Sequence, residues 1–370
     1  MNLAFDTIFE PHNWAAVPFH FWSLVFFVFG GIVGSFLNVC IYRMPLDLSI
    51  VSPPSHCPHC KYAIPFYLNV PLLTWLSLRG RCKNCGAPIS PRYFAVELLT
   101  ALAFLSCWLV FGHQAPWLAL VYAIFLAGLI TATFIDFAHF IIPDEITLGG
   151  AVAGFGLSFL LPQLQGAKSV GQGMVRSALG IAVGAGVVYA ILRLGKLLFG
   201  RQKIKLPGEA RIVFTETALC LPAQTIPYEE IFYRKTDAIV LEARTVELVD
   251  RSYRDVAFRL SPQALKLGDE TIDPETVPHI EVLCSAVVLP REAMGLGDVK
   301  FMAAIGAFLG WPGAIFSLMA SSIIGSAVGI ALILARKREW SSRMPYGPYI
   351  ALAAALWIFG GKSIFAALFH

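Results

Sequence analysis

Long apolar runs constrain the fold of this chain more than any other feature of its sequence. Most are about 17–25 residues long, enough to cross a hydrocarbon core roughly 30 Å thick, and they recur near 20–42, 94–112, 116–135, 145–162, 174–198, 298–311, 314–335 and 346–368. Charged residues make up 14% of the chain, against roughly 25% in soluble proteins. The sequence therefore predicts an all-α polytopic membrane protein with about eight transmembrane helices and excludes a soluble globular fold.

The charges that flank these runs predict how the chain crosses the membrane. The first run is preceded by Asp6 and Glu10 and by no Lys or Arg, whereas a cleavable signal peptide begins with a basic region. Arg43 follows the run, so we expect the first helix to be retained with its N-terminus outside and Arg43 in the cytoplasm. The segments then predicted to be cytoplasmic, which carry most of the flanking Lys and Arg, are 43–93, 136–144, 199–297 and 336–345.

The predicted outer segments agree with this orientation. Lys168 is the only basic residue in segments 113–115, 163–173 and 312–313, as the positive-inside rule requires. The net charge of +4 is explained by the cytoplasmic flanks, so we expect no nucleic-acid partner.

Two aspartates are predicted at the same membrane face although they are far apart in sequence. Asp136 ends the third apolar run, and Asp298 begins the sixth, in GLGDVK. A carboxylate within a membrane segment is costly and is a functional hypothesis by default. If the two meet, repulsion and partial burial would leave one proton shared between them. One could then activate water as a base while the other donates a proton, as in aspartic proteases.

Structural roles are the alternatives for the residues of this region. Asp298 could cap the helix that it precedes, Asp136 could simply end its helix, and Asp144 is best interpreted as another N-cap. Lys300 is most simply an interfacial residue that extends its amine towards water. Gly295 and Gly297 would permit unusual backbone angles beside Asp298 or the close approach of another backbone.

Four cysteines in two C-x-x-C pairs indicate a metal site. Cys57 and Cys60 are separated from Cys82 and Cys85 by 21 residues, a zinc-ribbon-like pattern in which each pair supplies two thiolates to one tetrahedral ion. Two disulfides are the alternative, which the reducing cytoplasm disfavours. We expect His56 and His59 to be bystanders, and the remaining cysteines to be small packing residues: Cys40, Cys107, Cys220 and Cys284.

Residues 200–290 differ in character from the rest of the chain. They are rich in charges of both signs, and stretches such as RIVFTETALCL, DAIVLEARTVELVD and DVAFRLSP have the alternating, β-branched pattern of short strands. We expect a small, mostly β cytoplasmic domain, which would either position substrate or a partner or be a tolerated insertion. The predicted domains are 1–93, 94–199, 200–290 and 291–370.

Six motifs occur in the order seen in bacterial type IV prepilin peptidases, and the chain resembles that family over nearly its whole length except 200–290. The motifs are GSFLNVCIYRMP (34–45), the tetracysteine region, RYFAVELLTAL (92–102), IDFAHFIIPD (135–144), GLGDVK (295–300) and MPYGPYIALA (344–353). Members of this family are leader peptidases and N-methyltransferases of pili and type II secretion. They usually join the two helices that flank 200–290 by a short loop, so that region is a departure.

The resemblance implies roles for the residues already singled out. Asp136 and Asp298 would be the catalytic pair of a GxGD intramembrane aspartic protease, supported by Gly295, Gly297 and Lys300. The four paired cysteines would bind one structural zinc ion. Prepilins or pseudopilins, with a basic leader that ends in Gly, would be cut at the cytoplasmic face of the bacterial inner membrane.

The resemblance also implies a second activity and further partners. The new amino group would be methylated with S-adenosylmethionine, although no Gly-rich nucleotide-binding loop after a strand indicates a site for this cofactor. Partners would be membrane lipids and components of pilus or type II secretion assemblies. The alternatives are a peptidase without methyltransferase activity, or a transporter with paired intramembrane acids; a transporter would predict inverted repeats and leave the cysteines unexplained.

Overall fold

The computed structural model describes residues 18–199, 201–222, 224–228, 231–232, 237–248, 250–290, 295–335 and 344–369. The chain divides into a helical unit, Met1–Val188 with Leu296–His370, and a sheet unit, Tyr189–Gly295. The helices are α1 Phe19–Arg43, α2 Leu73–Ser77, α3 Pro91–Phe111, α4 Pro116–His139, α5 Asp144–Leu160, α6 Val170–Phe199, α7 Leu296–Leu334, α8 Gly347–Leu356 and α9 Lys362–Phe369, with a π-helical turn at Trp357–Gly361 before α9.

Six of the described helical segments are long and apolar enough to cross a membrane, so the predicted count of eight crossings is not confirmed. Every predicted run coincides with a helix, and α5, with 17 residues, is at the lower end of the range of about 17–25 that a crossing needs. The runs near 298–311 and 314–335 form one 39-residue element, α7. Its backbone leaves the helical conformation at Gly310, where φ is 70°, just before Pro312.

Small residues bring the helices of this unit into close contact. A side chain on Gly180 of α6 would overlap the carbonyl oxygen of Gly306 in α7, and one on Gly34 of α1 would meet the Cα of Glu97 in α3 at 2.7 Å. Glycine contacts of this kind are typical of helix packing in membranes, where backbones must approach closely to gain van der Waals contact. Residues 301–310 are all buried, so the first segment of α7 lies at the centre of the helical unit.

The sheet unit contains one eight-stranded antiparallel sheet with its own apolar core. The strands are β1 Arg201–Phe214, β2 Ala218–Leu221, β3 Gln224–Pro227, β4 Ile239–Glu247, β5 Ser252–Leu260, β6 Leu265–Leu267, β7 Glu270–Ile272 and β8 Ile280–Pro290, in the order β3-β2-β1-β8-β4-β5-β6-β7. The first strand pairs with the last from Arg201↔Pro290 to Phe214↔Ile280, and Phe214 stacks on Phe258 in the core. The predicted combination of a mostly helical membrane chain with a β region is confirmed.

Candidate active site

Asp136 lies one turn before the end of α4, and its carboxylate points into the protein. The side chain is only 6% exposed, and its Oδ2 accepts a hydrogen bond of 2.9 Å from the backbone N–H of Gly347, at the start of α8. The helix continues to His139 and ends with Phe140 in a left-handed conformation, so Asp136 is not the residue that terminates it. A buried carboxylate with a single described hydrogen bond is well placed for a chemical role.

Gly347 is a residue that sequence reasoning missed. A Cβ atom on this glycine would lie 2.7 Å from Oδ2 of Asp136 and 3.1 Å from Cδ1 of Ile142. The carboxylate can approach the backbone of α8 only because no side chain stands between them. The only signal in the sequence is the Tyr-Gly-Pro at 346–348, which does not reveal a partner more than 200 residues away.

Asp298 is the third residue of α7 and is half-buried. It is therefore inside the first helical turn, where the helix dipole favours an acid, and not at the capping position before the helix. Gly297 is helical, and a Cβ atom there would be in ordinary contact, 3.7 Å, with Ile142. A Cβ atom on Gly347, the residue whose N–H binds Asp136, would lie 3.1 Å from the same Ile142 side chain. Ile142 is thus a neighbour of both the start of α7 and the start of α8.

Lys300 and Asp144 form an ion pair that is not predicted from the sequence, which favours an interfacial role for Lys300 and an N-cap role for Asp144. The Lys300 Nζ donates to both carboxylate oxygens of Asp144, at 2.7 and 2.9 Å. The prediction that Asp144 is an N-cap is wrong: Pro143 occupies that position, and no side-chain capping bond is formed. Because both side chains are partly exposed, the pair adds about 0–1 kcal/mol, but it joins the first turns of α5 and α7.

The four paired cysteines form one compact cluster. Their sulfur atoms all lie within 4.8 Å of one another, with 3.9 Å between Cys57 and Cys85 and 4.0 Å between Cys60 and Cys82. All four are free thiols, which contradicts the disulfide alternative. Sulfur ligands around a tetrahedral zinc ion at 2.3 Å stand about 3.8 Å apart, so the cluster fits such an ion with only slight contraction.

The two C-x-x-C pairs have the same backbone geometry. The N–H of Lys61 donates to the Cys57 carbonyl, and the N–H of Gly86 donates to the Cys82 carbonyl. Both donors have a left-handed backbone, with φ of 57° and 72°. Each pair is thus a tight turn that directs two sulfurs towards a common centre. His56 bonds to the carbonyl of Pro54 and is not one of the clustered ligands.

Hydrogen bonds favour thiolates in this cluster, but mutual repulsion opposes full ionisation. The Asn84 amide lowers the pKa of Cys60 to about 6, and backbone donors lower the pKa of Cys82. The Ala87 N–H lowers the pKa of Cys85, but desolvation and the neighbouring thiols outweigh it and raise that pKa to about 11. A divalent cation at the centre would displace the remaining protons.

Two buried charged side chains anchor the cysteine region to α1 and α3. Arg43 donates to the carbonyls of Ser49 and Pro53, at 2.9 and 2.6 Å. Glu97, in the second turn of α3, accepts a hydrogen bond from the N–H of Leu72 at 2.7 Å. Sequence reasoning missed Glu97, although a lone acid inside the apolar run AVELLTAL is the kind of residue that should have marked it.

Two family models match this chain. The bacterial peptidase A24 N-terminal domain matches residues 28–111, and the type IV leader peptidase family matches residues 123–206 and 279–330. The first match includes all four clustered cysteines and the second includes both aspartates. Most of the sheet unit lies in the gap of the second match.

Three similar proteins share the description "prepilin leader peptidase/N-methyltransferase". The protein of Myxococcus xanthus is 41% identical over 48% of this chain and 57% of its own length. That of Dichelobacter nodosus is 34% identical over 48% of this chain and 69% of its own. That of Aeromonas hydrophila is 29% identical over 94% of this chain and 93% of its own. No solved structure matches the chain. The similar proteins and the two family models show that the chain belongs to the type IV leader peptidase family.

Proposed function

We propose that the chain is a membrane-embedded prepilin leader peptidase and N-methyltransferase whose peptide-cleaving groups are Asp136 and Asp298. The observation that supports this proposal is the position of Ile142, which lies 3.1 Å from where a Cβ atom of Gly347 would stand and 3.7 Å from where one of Gly297 would stand. Gly347 binds Asp136 and Gly297 precedes Asp298, so the two acids are held by backbone segments that share this neighbour. Two carboxylates at one place can divide the roles of base and acid. Neither carboxylate needs a metal ion to act as this base or acid.

In the proposed cleavage, one carboxylate takes a proton from water while the oxygen attacks the carbonyl carbon of the glycine that ends the leader. The other carboxylic acid protonates the carbonyl oxygen, and collapse of the tetrahedral intermediate breaks the C–N bond as the nitrogen gains a proton. The Gly347 N–H would hold Asp136 in one orientation throughout. The Lys300–Asp144 pair would keep the start of α7, and so Asp298, beside it.

The four-cysteine cluster would hold one zinc ion through Cys57, Cys60, Cys82 and Cys85. A bound ion would compensate the charge of four thiolates and would cross-link the two C-x-x-C turns, which is a folding role and not a catalytic one. Through Arg43 and Glu97 the folded cysteine region is fixed to α1 and α3. We propose S-adenosylmethionine as the methyl donor on the strength of the relatives' description, and assign no residue to it.

We place the protein in the bacterial inner membrane with the cysteine region, the sheet unit and the aspartates at the cytoplasmic face. The distribution of basic residues supports this orientation. A basic leader would then remain in the cytoplasm while the apolar part of the substrate enters the membrane. Prepilins or pseudopilins are the proposed substrates, and pilus or type II secretion components are the proposed partners.

The proposal is tested with purified protein, a prepilin and S-adenosylmethionine, and the mass of the product N-terminus is measured. Asp136→Asn and Asp298→Asn should each lower cleavage by at least about 10²-fold while the protein still inserts and folds. Glu145→Gln, which removes an exposed acid in the first turn of α5, is the matched control and should cleave normally. Near-normal cleavage by either aspartate variant would remove that residue from the catalytic pair.

A further inference from the structure

A cavity of about 420 Å³ lies at the end of the helical unit away from the aspartates. Gly310 follows Asp298 by twelve residues of α7, a rise of about 18 Å. Tyr122 precedes Asp136 by fourteen residues of α4, a rise of about 21 Å. The residues that line it include Tyr122, Gln165, Arg176, Gly310, Trp357 and Lys362. Its volume is within the usual range for ligand sites, roughly 300–1,000 Å³.

The charge of this cavity is positive and unbalanced by its own walls. Arg176 and Lys362 are the charged residues among those that line it, and no lining residue is acidic. The surrounding described segments, 112–115, 161–176, 310–313 and 357–369, contain no Asp or Glu in the sequence. Ionisable residues within apolar spans mark functional sites by default, and two cations facing one cavity indicate an anionic occupant.

Arg176 is held in place at the cavity wall. Its guanidinium donates to the carbonyls of Gln165 and Gly166, at 3.0 and 2.9 Å, and Gly166 has a left-handed backbone. Gln165 in turn donates to the carbonyl of Ala307, at 2.6 Å, just before the break in α7. The loop that holds the Arg176 guanidinium therefore also donates a hydrogen bond to a carbonyl next to the break in α7.

Another donor at the cavity wall has no acceptor. The Nε1–H of Trp357 is buried, and no residue in the described part of the chain accepts its hydrogen bond. Lys362 forms no ion pair with a described residue either. Buried donors are normally paired, so an unpaired one beside two cations is consistent with an occupant that brings acceptor oxygens.

The other walls are apolar, and the surface around the cavity is suited to hydrocarbon. Leu164, Leu309, Pro312 and Trp311 line it, and Trp311 is 42% exposed. Phe359 and Ile364, close to Lys362 in sequence, are also at least 40% exposed. A Trp residue at the end of a transmembrane helix, such as Trp311, is typical of the membrane–water interface. A free inorganic anion would use the cations but not this apolar surface.

We propose that this cavity binds the phosphate headgroup of an anionic phospholipid, with Arg176 and Lys362 as its cationic ligands and the acyl chains along the exposed apolar side chains. The site is remote from Asp136 and Asp298, so the proposal is independent of the peptidase reaction. An anionic lipid is proposed because two cationic side chains and no acidic one line the cavity, and because exposed apolar side chains surround it at the end of a membrane helix bundle.

The test is lipid binding by the full chain, purified in detergent and titrated with phosphatidylglycerol, phosphatidylcholine or inorganic phosphate. Retained lipid is counted by native mass spectrometry, and the thermal midpoint is recorded. Phosphatidylglycerol should be retained and should raise the midpoint, whereas phosphatidylcholine and phosphate should have little effect. Lys362→Gln should weaken phosphatidylglycerol binding about fivefold, as expected for one cation near an anionic surface, and Lys362→Arg should restore it.

Lys168→Gln is the matched control, because Lys168 is exposed at the same end of the bundle but does not line the cavity. It should bind phosphatidylglycerol like the unchanged protein. Equal retention of the two lipids, equal losses for the Lys168 and Lys362 variants, or stabilisation by phosphate alone would each overturn the lipid proposal. Since Lys362 makes no described bond within the protein, its variant is expected to fold, and the thermal midpoint without lipid checks this.

Discussion

Replacement of Gly347 by alanine tests the geometry around Asp136 without touching a charged group. The new Cβ would lie 2.7 Å from Oδ2, whereas the closest ordinary C–H···O contacts begin at roughly 3.3 Å. The carboxylate or the start of α8 must therefore move by about 0.6 Å. Since a misplacement of 1 Å can cost about 10²-fold in rate, we expect cleavage to fall by about tenfold or more.

The loss should appear in turnover of a prepilin substrate, followed by the mass of the cleaved product, with little change in the amount of folded protein. Gly128→Ala is the control, because Gly128 is on α4 with Asp136 and a Cβ atom there would meet nothing within 4 Å. It should cleave at the unchanged rate. If Gly347→Ala cleaves as fast as the unchanged protein, or if Gly128→Ala is equally slow, the Gly347–Asp136 contact does not position the carboxylate.

Three further predictions follow from other parts of the helical unit. Gly180→Ala would place a Cβ atom against the carbonyl of Gly306, so it should destabilise the protein by more than the usual 1–3 kcal/mol of overpacking and lower its thermal midpoint accordingly. Gly186→Ala, on the same helix but facing open space, should leave the midpoint unchanged. Equal midpoints for the two variants would contradict the close helix contact. Cys57→Ser should reduce bound zinc from about one per chain to near zero by metal analysis, and a zinc-free unchanged protein would refute the site. Arg43→Gln, which loses two bonds to the cysteine region, should impair methylation more than cleavage, and equal loss of both activities would indicate one indivisible site.

The sequence predicted what depends on local pattern. Apolar runs located each long helix, C-x-x-C spacing located the four sulfurs of the cluster, and alternation located the strands around Phe214 and Phe258. In each case the deciding interactions are between residues close in the chain or of repeated type. The predicted N-cap at Asp144 is wrong because the helix already begins at that residue. The count of eight crossings is not confirmed, because the runs on either side of Gly310 form one kinked element.

What the sequence could not predict depends on contacts between distant segments. Lys300 and Asp144 each had a plausible local role, and only the fold shows that they bind each other across 156 residues. The Gly347 N–H on Asp136 spans 211 residues. Pairwise partners of this kind carry no periodicity, so one sequence by itself cannot reveal them. The catalytic assignment of Asp136 and Asp298 stays a prediction until their variants are assayed.

The pairing of β1 with β8 has a consequence for how the sheet unit can be gained or lost. Arg201 is opposite Pro290, and facing residues of an antiparallel pair are about 4.5–5.5 Å apart. The chain therefore leaves the sheet almost where it enters, as domains that tolerate insertion into a host commonly do. A short connection between positions 201 and 290 would span the same distance as the whole sheet does. In this sense the sheet unit is a detachable module.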